Sequence, residues 1–318
     1  MDYLKRQNPW AVAFAAAVFL VGSYQSLFAA PSLFPLGSIV TVARGTSAPS
    51  VAAQLADVHV IKHPSLLLLA LRMSGTSSRV QAGSYRFEKP QNVFAVAYRI
   101  VTGNYDLPPA RITFPEGVTV REVAAQIEDP LPGIRAADFL KAAQRYEGYL
   151  FPDTYFFPPS SDIASIVALM RENFNTKIAT LSGEISASGH SLSDIIILAS
   201  LVEKEARTSE SRRMVAGILL NRLKLGIPLQ VDAVFGYIFG RDTYSPSFAD
   251  LKVDSPYNTY THKGLPPGPI ANPGLDSLQA ALHPAKTNYL YYLTGRDNLM
   301  HYATTYAGHQ ANRKRYLD

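Results

Sequence analysis

Two glutamates, Glu203 and Glu205, close a run that from Ile195 to Val202 is apolar except for Ser200. At about 100° per residue, the apolar stripe of such a helix centres on Ile195, Leu198, Leu201 and Val202. Glu205 follows Leu198 by seven residues, Leu201 by four and Val202 by three, so it projects from inside that stripe. Glu203 falls toward its margin, near Ile196 and Ala199. A carboxyl group at the wet end of a buried face resists ionisation. That is what a general acid working near neutral pH requires, and Glu205 is the candidate. The plainer alternative is a solvated polar last turn. Ser193 is expected to cap the helix, with Asp194 set favourably against its N-terminal dipole.

Two downstream stretches have the composition of site walls. Pro228-Leu229-Gln230-Val231-Asp232 is predicted to be extended after a helix ending at Gly226. Residues 257–274 carry Tyr257, Asn258 and Tyr260, then Pro266, Pro267, Pro269 and Pro273. The prolines fix φ and Asn258 can tie down a turn, so this segment is too rigid for a helix and too long for a simple turn. Rigid backbone bearing Tyr and Asn suits a sugar groove, where rings stack on pyranose faces and amides read hydroxyls. A structural cover loop has the same composition.

These stretches need a scaffold, and 318 residues suffice for about two domains. With no cysteine, a disulfide scaffold, a thiolate metal site and a cysteine nucleophile are excluded. Charged residues at 17% and apolar residues at 47% exclude both a disordered chain and a polytopic membrane protein. The net charge is only +5, and basic residues cluster only at Arg313-Lys314-Arg315, so no nucleic-acid partner is expected.

Residues 10–30 contain no charge, enough to span a bilayer core of roughly 30 Å as a helix. Lys5 and Arg6 precede the run, and the next basic residue is Arg44. The positive-inside rule then predicts a single-pass anchor in the cytoplasmic membrane, with a cytoplasmic N-terminus and everything after Ala30 outside. A cleaved signal peptide would have a shorter apolar region and a small residue where Phe28 stands. A buried core helix is the third reading. The expected organisation is a tail over 1–9, an anchor over 10–30, a membrane-proximal domain over 31–105 and a catalytic domain over 106–318.

Beyond the anchor, 39–42 reads as a strand and 51–57 as a helix, followed by a helix over 64–73 and a strand over 84–87. The first strand–turn–helix recurs 72 residues on, with Thr41/Thr113, Gly45/Gly117, the Val-Ala-Ala-Gln quartets and Asp57/Asp129 identical. Ser47 and Thr119 are the expected N-caps; chance reuse of a common turn would look the same. The β-α-α-β order resembles the LysM modules that grip peptidoglycan and chitin. Residues 136–226 read as helices, 276–283 as a helix, 289–293 as a strand, and a last helix begins near Ala307. Irregular interleaving predicts an α+β class: one N-terminal transmembrane helix, a small LysM-like unit and a mixed α+β domain.

Four motifs in order, Glu147-Gly148-Tyr149-Leu150-Phe151-Pro152-Asp153-Thr154-Tyr155, Ala199 to Glu205, Asn221-Arg222-Leu223 with Leu229-Gln230-Val231-Asp232, and Tyr257-Asn258-Thr259-Tyr260 through Gly268, together resemble the YceG-like endolytic murein transglycosylases. Val231 and Ala233 depart from the family's usual flanks, and 295–309 matches poorly, so His301 and His309 receive only a supporting role. The resemblance implies that Glu205 is the catalytic residue. It would protonate the glycosidic oxygen between N-acetylmuramic acid and N-acetylglucosamine, then take the proton of the muramyl C6 hydroxyl as a 1,6-anhydro ring closes. Gln230, Asp232, Tyr257, Asn258 and Tyr260 are the expected groove residues. No metal or organic cofactor is called for. The implied partners are peptidoglycan glycan strands, the membrane and the wall synthases. Two alternatives remain at this level: a tethered, non-catalytic glycan-binding scaffold, and a hydrolase that admits water.

Overall fold

Between Trp10 and Leu27 no charged side chain interrupts a run of residues that leave the backbone free to bond to itself, and the stretch forms α1 (Pro9–Leu27). The structure, a computed structural model, describes residues 9–241 and 246–317. Lys5 and Arg6, on which the expected orientation rests, lie outside the described residues. Among those described, α1 is the one helix that by itself is long and apolar enough to cross a membrane, and none of its apolar window is buried within the chain. Its C-terminal end is fastened to the residues that follow. The Asn92 amide donates to the Tyr24 hydroxyl at 3.0 Å, and the Phe28 and Phe94 rings stack at 5.3 Å.

The chain divides into two compact units. The first comprises Met1–Ala110, Asp129–Ile134 and Phe156–Asp162; the second comprises Arg111–Glu128, Arg135–Tyr155 and Ile163–Asp318. In the first, β1 (Ser38–Val42), α2 (Ala48–Asp57), α3 (Pro64–Met73) and β2 (Gly83–Phe87) follow in the expected β-α-α-β order. The strands pair antiparallel, from Ser38↔Phe87 to Val42↔Gly83. Alternation puts Val40, Val42, Tyr85 and Phe87 on the buried side with Leu55 of α2 and Leu67 and Leu71 of α3. A further helix, α4 (Val93–Thr102), completes this core. The sequence reading omits it, although Asn92 caps it and Val93, Val96, Ala97 and Ile100 have helical spacing. Arg99 is buried here and bonds chiefly to backbone. Its guanidinium donates to the carbonyls of Asn104 and Arg86 and lies 4.8 Å from the centre of the Phe87 ring.

The remaining elements are β3 (Ala110–Thr113), α5 (Val120–Glu128), α6 (Ala136–Ala143), β4 (Thr154–Phe157), α7 (Ile163–Thr180), α8 (Ser182–Ser188), α9 (Leu192–Glu205), α10 (Ser209–Lys224), α11 (Ala233–Phe239), α12 (Leu275–Leu282), β5 (Tyr291–Thr294), β6 (Met300–Ala303) and α13 (Tyr306–Tyr316). β3 pairs with β4 and β5 with β6, so the described sheets are all two-stranded and the class is α+β, as expected. Besides α4, three elements were not foreseen: β4 inside the stretch read as helical, α11 after Asp232, and β6. All three have at most seven residues, too few for a pattern to stand out. Both copies of the strand–turn–helix place their glycine at positive φ, Gly45 at 82° and Gly117 at 77°. The Thr119 hydroxyl then caps α5 by accepting from the Glu122 N–H, and the Glu122 carboxylate accepts in return from the Thr119 N–H.

α9 is the centre of the second core. Every residue from Ile195 to Val202 is buried, so this helix has no polar face along most of its length. α10 and α12 cover it, and the Pro-rich strap over 257–274 supplies much of the rest. Gly148 sits at φ +83°, where a Cβ would come 2.5 Å from Pro269 and 2.9 Å from Ile196, so only glycine lets the chain pass.

Candidate active site

α9 begins two residues earlier than expected. Ser191, not Ser193, is the N-cap: its hydroxyl accepts from the Asp194 N–H at 3.1 Å, a reach that the helical geometry of Ser193 does not allow. At the other end the two glutamates diverge. Glu203 is well covered, with 4% of its side chain exposed. Arg212 pairs with Glu203 at 2.5 Å, and the Gly274 N–H donates to its other oxygen at 2.9 Å. Glu203 is thus committed to holding α9, α10 and the strap together.

Glu205, the last residue of α9, is partly buried and opens into a cleft of about 1380 Å³. Its Oε1 accepts from the Ala233 N–H at 3.3 Å and its Oε2 from the Tyr292 hydroxyl at 3.0 Å. Burial and the Asp232 charge push its carboxyl up to about 7, against the opposing pull of those two donors. Such a group can both release and take up a proton at neutral pH.

Of the other expected site residues, Asp232 and Tyr257 line the same cleft, whereas Gln230, Asn258 and Tyr260 are not among its lining residues. Tyr260 stands behind Asp232 and donates to its Oδ1 at 2.5 Å. Gln230 is exposed, holds φ at +52°, and accepts from the Arg222 guanidinium. Asn258 is fully buried: its amide donates to the carbonyls of Leu251 and Val253, and its Oδ1 accepts from the Tyr260 N–H. Its polar atoms are consumed in shaping the loop that carries Tyr257 and Tyr260.

The structure adds groups to which the sequence reading gave no role. Tyr292 comes from β5, where Tyr289 and Tyr291 stand close beside it in the sequence and leave it no local mark of importance. Glu147 opens one of the quoted motifs, lines the cleft and is buried. It accepts from the Val120 N–H at 3.1 Å and from the Asn272 amide at 3.2 Å. Asn272 also donates to the Val118 carbonyl and accepts from the Leu150 N–H, each at 2.9 Å, so three segments of the cleft wall meet at one amide.

Burial raises the Glu147 carboxyl to about 8, so the folded chain holds a proton there that the unfolded chain releases near pH 4.5. The stabilisation from that proton is complete below the unfolded value and is lost as pH rises from there to about 8. Glu147→Gln mimics the protonated form. Its melting temperature is expected to fall less than that of the wild type between pH 5 and pH 9, by the equivalent of a few kcal/mol. Parallel pH–melting curves for the two proteins would indicate an ionised Glu147.

A partly buried carboxyl in a cleft of several sugar volumes fits a polysaccharide-cleaving enzyme, and comparison with known proteins gives the lineage. Residues 40–315 match the model of the YceG-like family, and the chain belongs to that family. It is 30% identical over 305 aligned residues to the endolytic murein transglycosylase of Bacillus subtilis (strain 168), covering 87% of this chain and 84% of that protein. It is 25% identical to the endolytic murein transglycosylase of Streptococcus pneumoniae serotype 2, covering 95% of this chain and 63% of that longer protein. A crystal structure of a YceG-like protein from Listeria monocytogenes superposes with a TM-score of 0.59 at 27% identity, covering 86% of this chain and 98% of that one.

Proposed function

We propose that this chain is a membrane-anchored endolytic peptidoglycan lytic transglycosylase that cuts the β-1,4 bond between N-acetylmuramic acid and N-acetylglucosamine within nascent strands. The observation that carries this reading is the Glu205 carboxyl, raised to about 7 and facing the cleft beside Asp232. Pockets for drug-sized ligands occupy about 300–1,000 Å³, so this cleft is large enough for a stretch of polymer. Protonated Glu205 gives its proton to the glycosidic oxygen, and the C1–O bond breaks toward an oxocarbenium ion. The C6 hydroxyl oxygen of the same muramyl residue closes on C1, and its proton returns to the Glu205 carboxylate. No water is consumed, so the paired carboxyls of ordinary glycosidases are unnecessary. The nucleophile is part of the substrate, and its proximity supplies much of the rate.

Asp232 and Tyr257 supply oxygens near the developing positive charge, Gln230 and Tyr260 flank them, and Asn258 acts through the loop it organises. α1 is the proposed anchor, with the N-terminus cytoplasmic and the cleft outside. Tethering confines the enzyme to new strands near the bilayer, where wall synthases are its proposed partners. The test is incubation of the full chain with purified glycan strands, followed by mass spectrometry of the new ends. Anhydro-muramyl ends, lighter by one water than reducing ends, are expected. Ordinary reducing ends would show a hydrolase, and unaltered strands a binding scaffold; either result overturns the reading.

A further inference from the structure

The Glu205 carboxyl is gripped from two separate elements. α11 supplies the Ala233 N–H to Oε1 at 3.3 Å, and β5 supplies the Tyr292 hydroxyl to Oε2 at 3.0 Å. The amide is fixed by its helix. The phenol sits on a hairpin whose other strand and turn, Asn298, Leu299, Met300 and Tyr302, also line the cleft. Tyr292 is partly buried, and burial together with the Glu205 charge keeps its phenol protonated, so toward a carboxylate it is always the donor. We propose that Tyr292 is the positioning residue of this site: its hydroxyl fixes the orientation of the Glu205 carboxyl and favours the ionised form that must recover the C6 proton. This rests on the reading of Glu205 as the acid–base group.

The charged and titratable neighbours can be assigned by element. On α9, Glu203 is neutralised by Arg212. At the start of α11, Asp232 opposes ionisation of Glu205, and Tyr260 on the strap is bonded to Asp232. From α10, the Arg222 cation acts on the Tyr292 phenol, and its guanidinium lies 5.2 Å from the centre of the adjoining Tyr291 ring. Among these neighbours, Tyr292 is the side chain that donates to Glu205. Without its hydroxyl, burial and the Asp232 charge would be opposed by the Ala233 N–H alone.

Tyr292→Phe removes one oxygen and leaves the ring. The full chain is labelled with ¹³C at the glutamate carboxyls, and the Glu205 resonance is identified by its absence in Glu205→Gln. In Tyr292→Phe that resonance is expected to titrate about one unit higher. The alkaline limb of kcat/KM on glycan strands should move with it, while KM stays unchanged. Site-specific replacement of Tyr292 by 3-fluorotyrosine strengthens the donor and should move the titration the other way, which keeps the test decisive if the Phe variant folds poorly. An unmoved carboxyl titration overturns the positioning role. A titration that moves while the rate profile stays fixed upholds that role and refutes Glu205 as the acid.

Discussion

Glu205→Gln is expected to leave the protein folded and to lower the rate of anhydro-end formation by about 10²–10⁴-fold, the usual contribution of a positioned acid–base group. The amide keeps the size of the carboxyl. Its oxygen can still accept from the Ala233 N–H, and its NH₂ can donate to the Tyr292 oxygen, so both contacts survive in altered polarity. What disappears is the proton. The stability consequence has a definite sign. The folded chain holds that proton up to about pH 7, so the wild type loses some stability as pH rises from near 4.5 through 7, and the Gln variant is spared that part of the loss. Melting curves for the two should therefore converge at low pH, with the variant the steadier toward pH 8. A wild-type rate of anhydro-end release from the variant would refute the assignment.

The neighbouring acid would be the obvious control, but Glu203 is unsuited to that use. Its side chain is 4% exposed and satisfied by Arg212 and the Gly274 N–H. Neutralising it disturbs a structural joint two residues from Glu205. A better control lies in the shape of the pH profile, which a loosened joint lowers without moving and a changed acid moves.

How much of this was readable from residue types alone varies with the length of the pattern involved. The apolar span, the β-α-α-β order and α9 were legible because each carries a long, regular hydrophobic signal. α4 carried the same signal with a clear cap, and was overlooked rather than hidden. β4, β6 and α11 are short elements whose formation depends on partners distant in the chain, as where Thr113 meets Thr154 through their hydroxyls. The carboxyl at 205 could be picked out, but its donors could not. Tyr292 lies 87 positions away and Ala233 contributes only backbone, so no spacing rule connects them. Asn258 shows the opposite limit. A polar residue in a rigid loop reads as a ligand-facing group, yet the same rigidity demands that something satisfy the turning carbonyls of Leu251 and Val253, and Asn258 does so.

Arg212→Met should cost about 3–5 kcal/mol, equivalent to a fall of roughly 10 °C in the melting temperature of a unit of this size. Arg212, on α10, donates to Glu203 of α9 at 2.5 Å, to Asp276 of α12 at 2.7 Å and to the Ala206 carbonyl at 3.3 Å, with Glu116 at 3.8 Å. Only 12% of its side chain is exposed. A methionine of similar reach keeps the packing but leaves three carboxylates facing one another with no cation between them. Glu116 is already raised by burial and by the charge of Glu203, and the arginine is what restrains that rise. In the variant Glu116, freed of that restraint, should bind its proton at higher pH than in the wild type, so lowering the pH relieves the repulsion. The stability gap between the two proteins should therefore be widest near pH 8 and narrow toward pH 4–5, which a loss of packing alone would not produce. A gap constant with pH would mean that the arginine serves as a spacer, and that the joint beneath the end of α9 is held by shape rather than by charge.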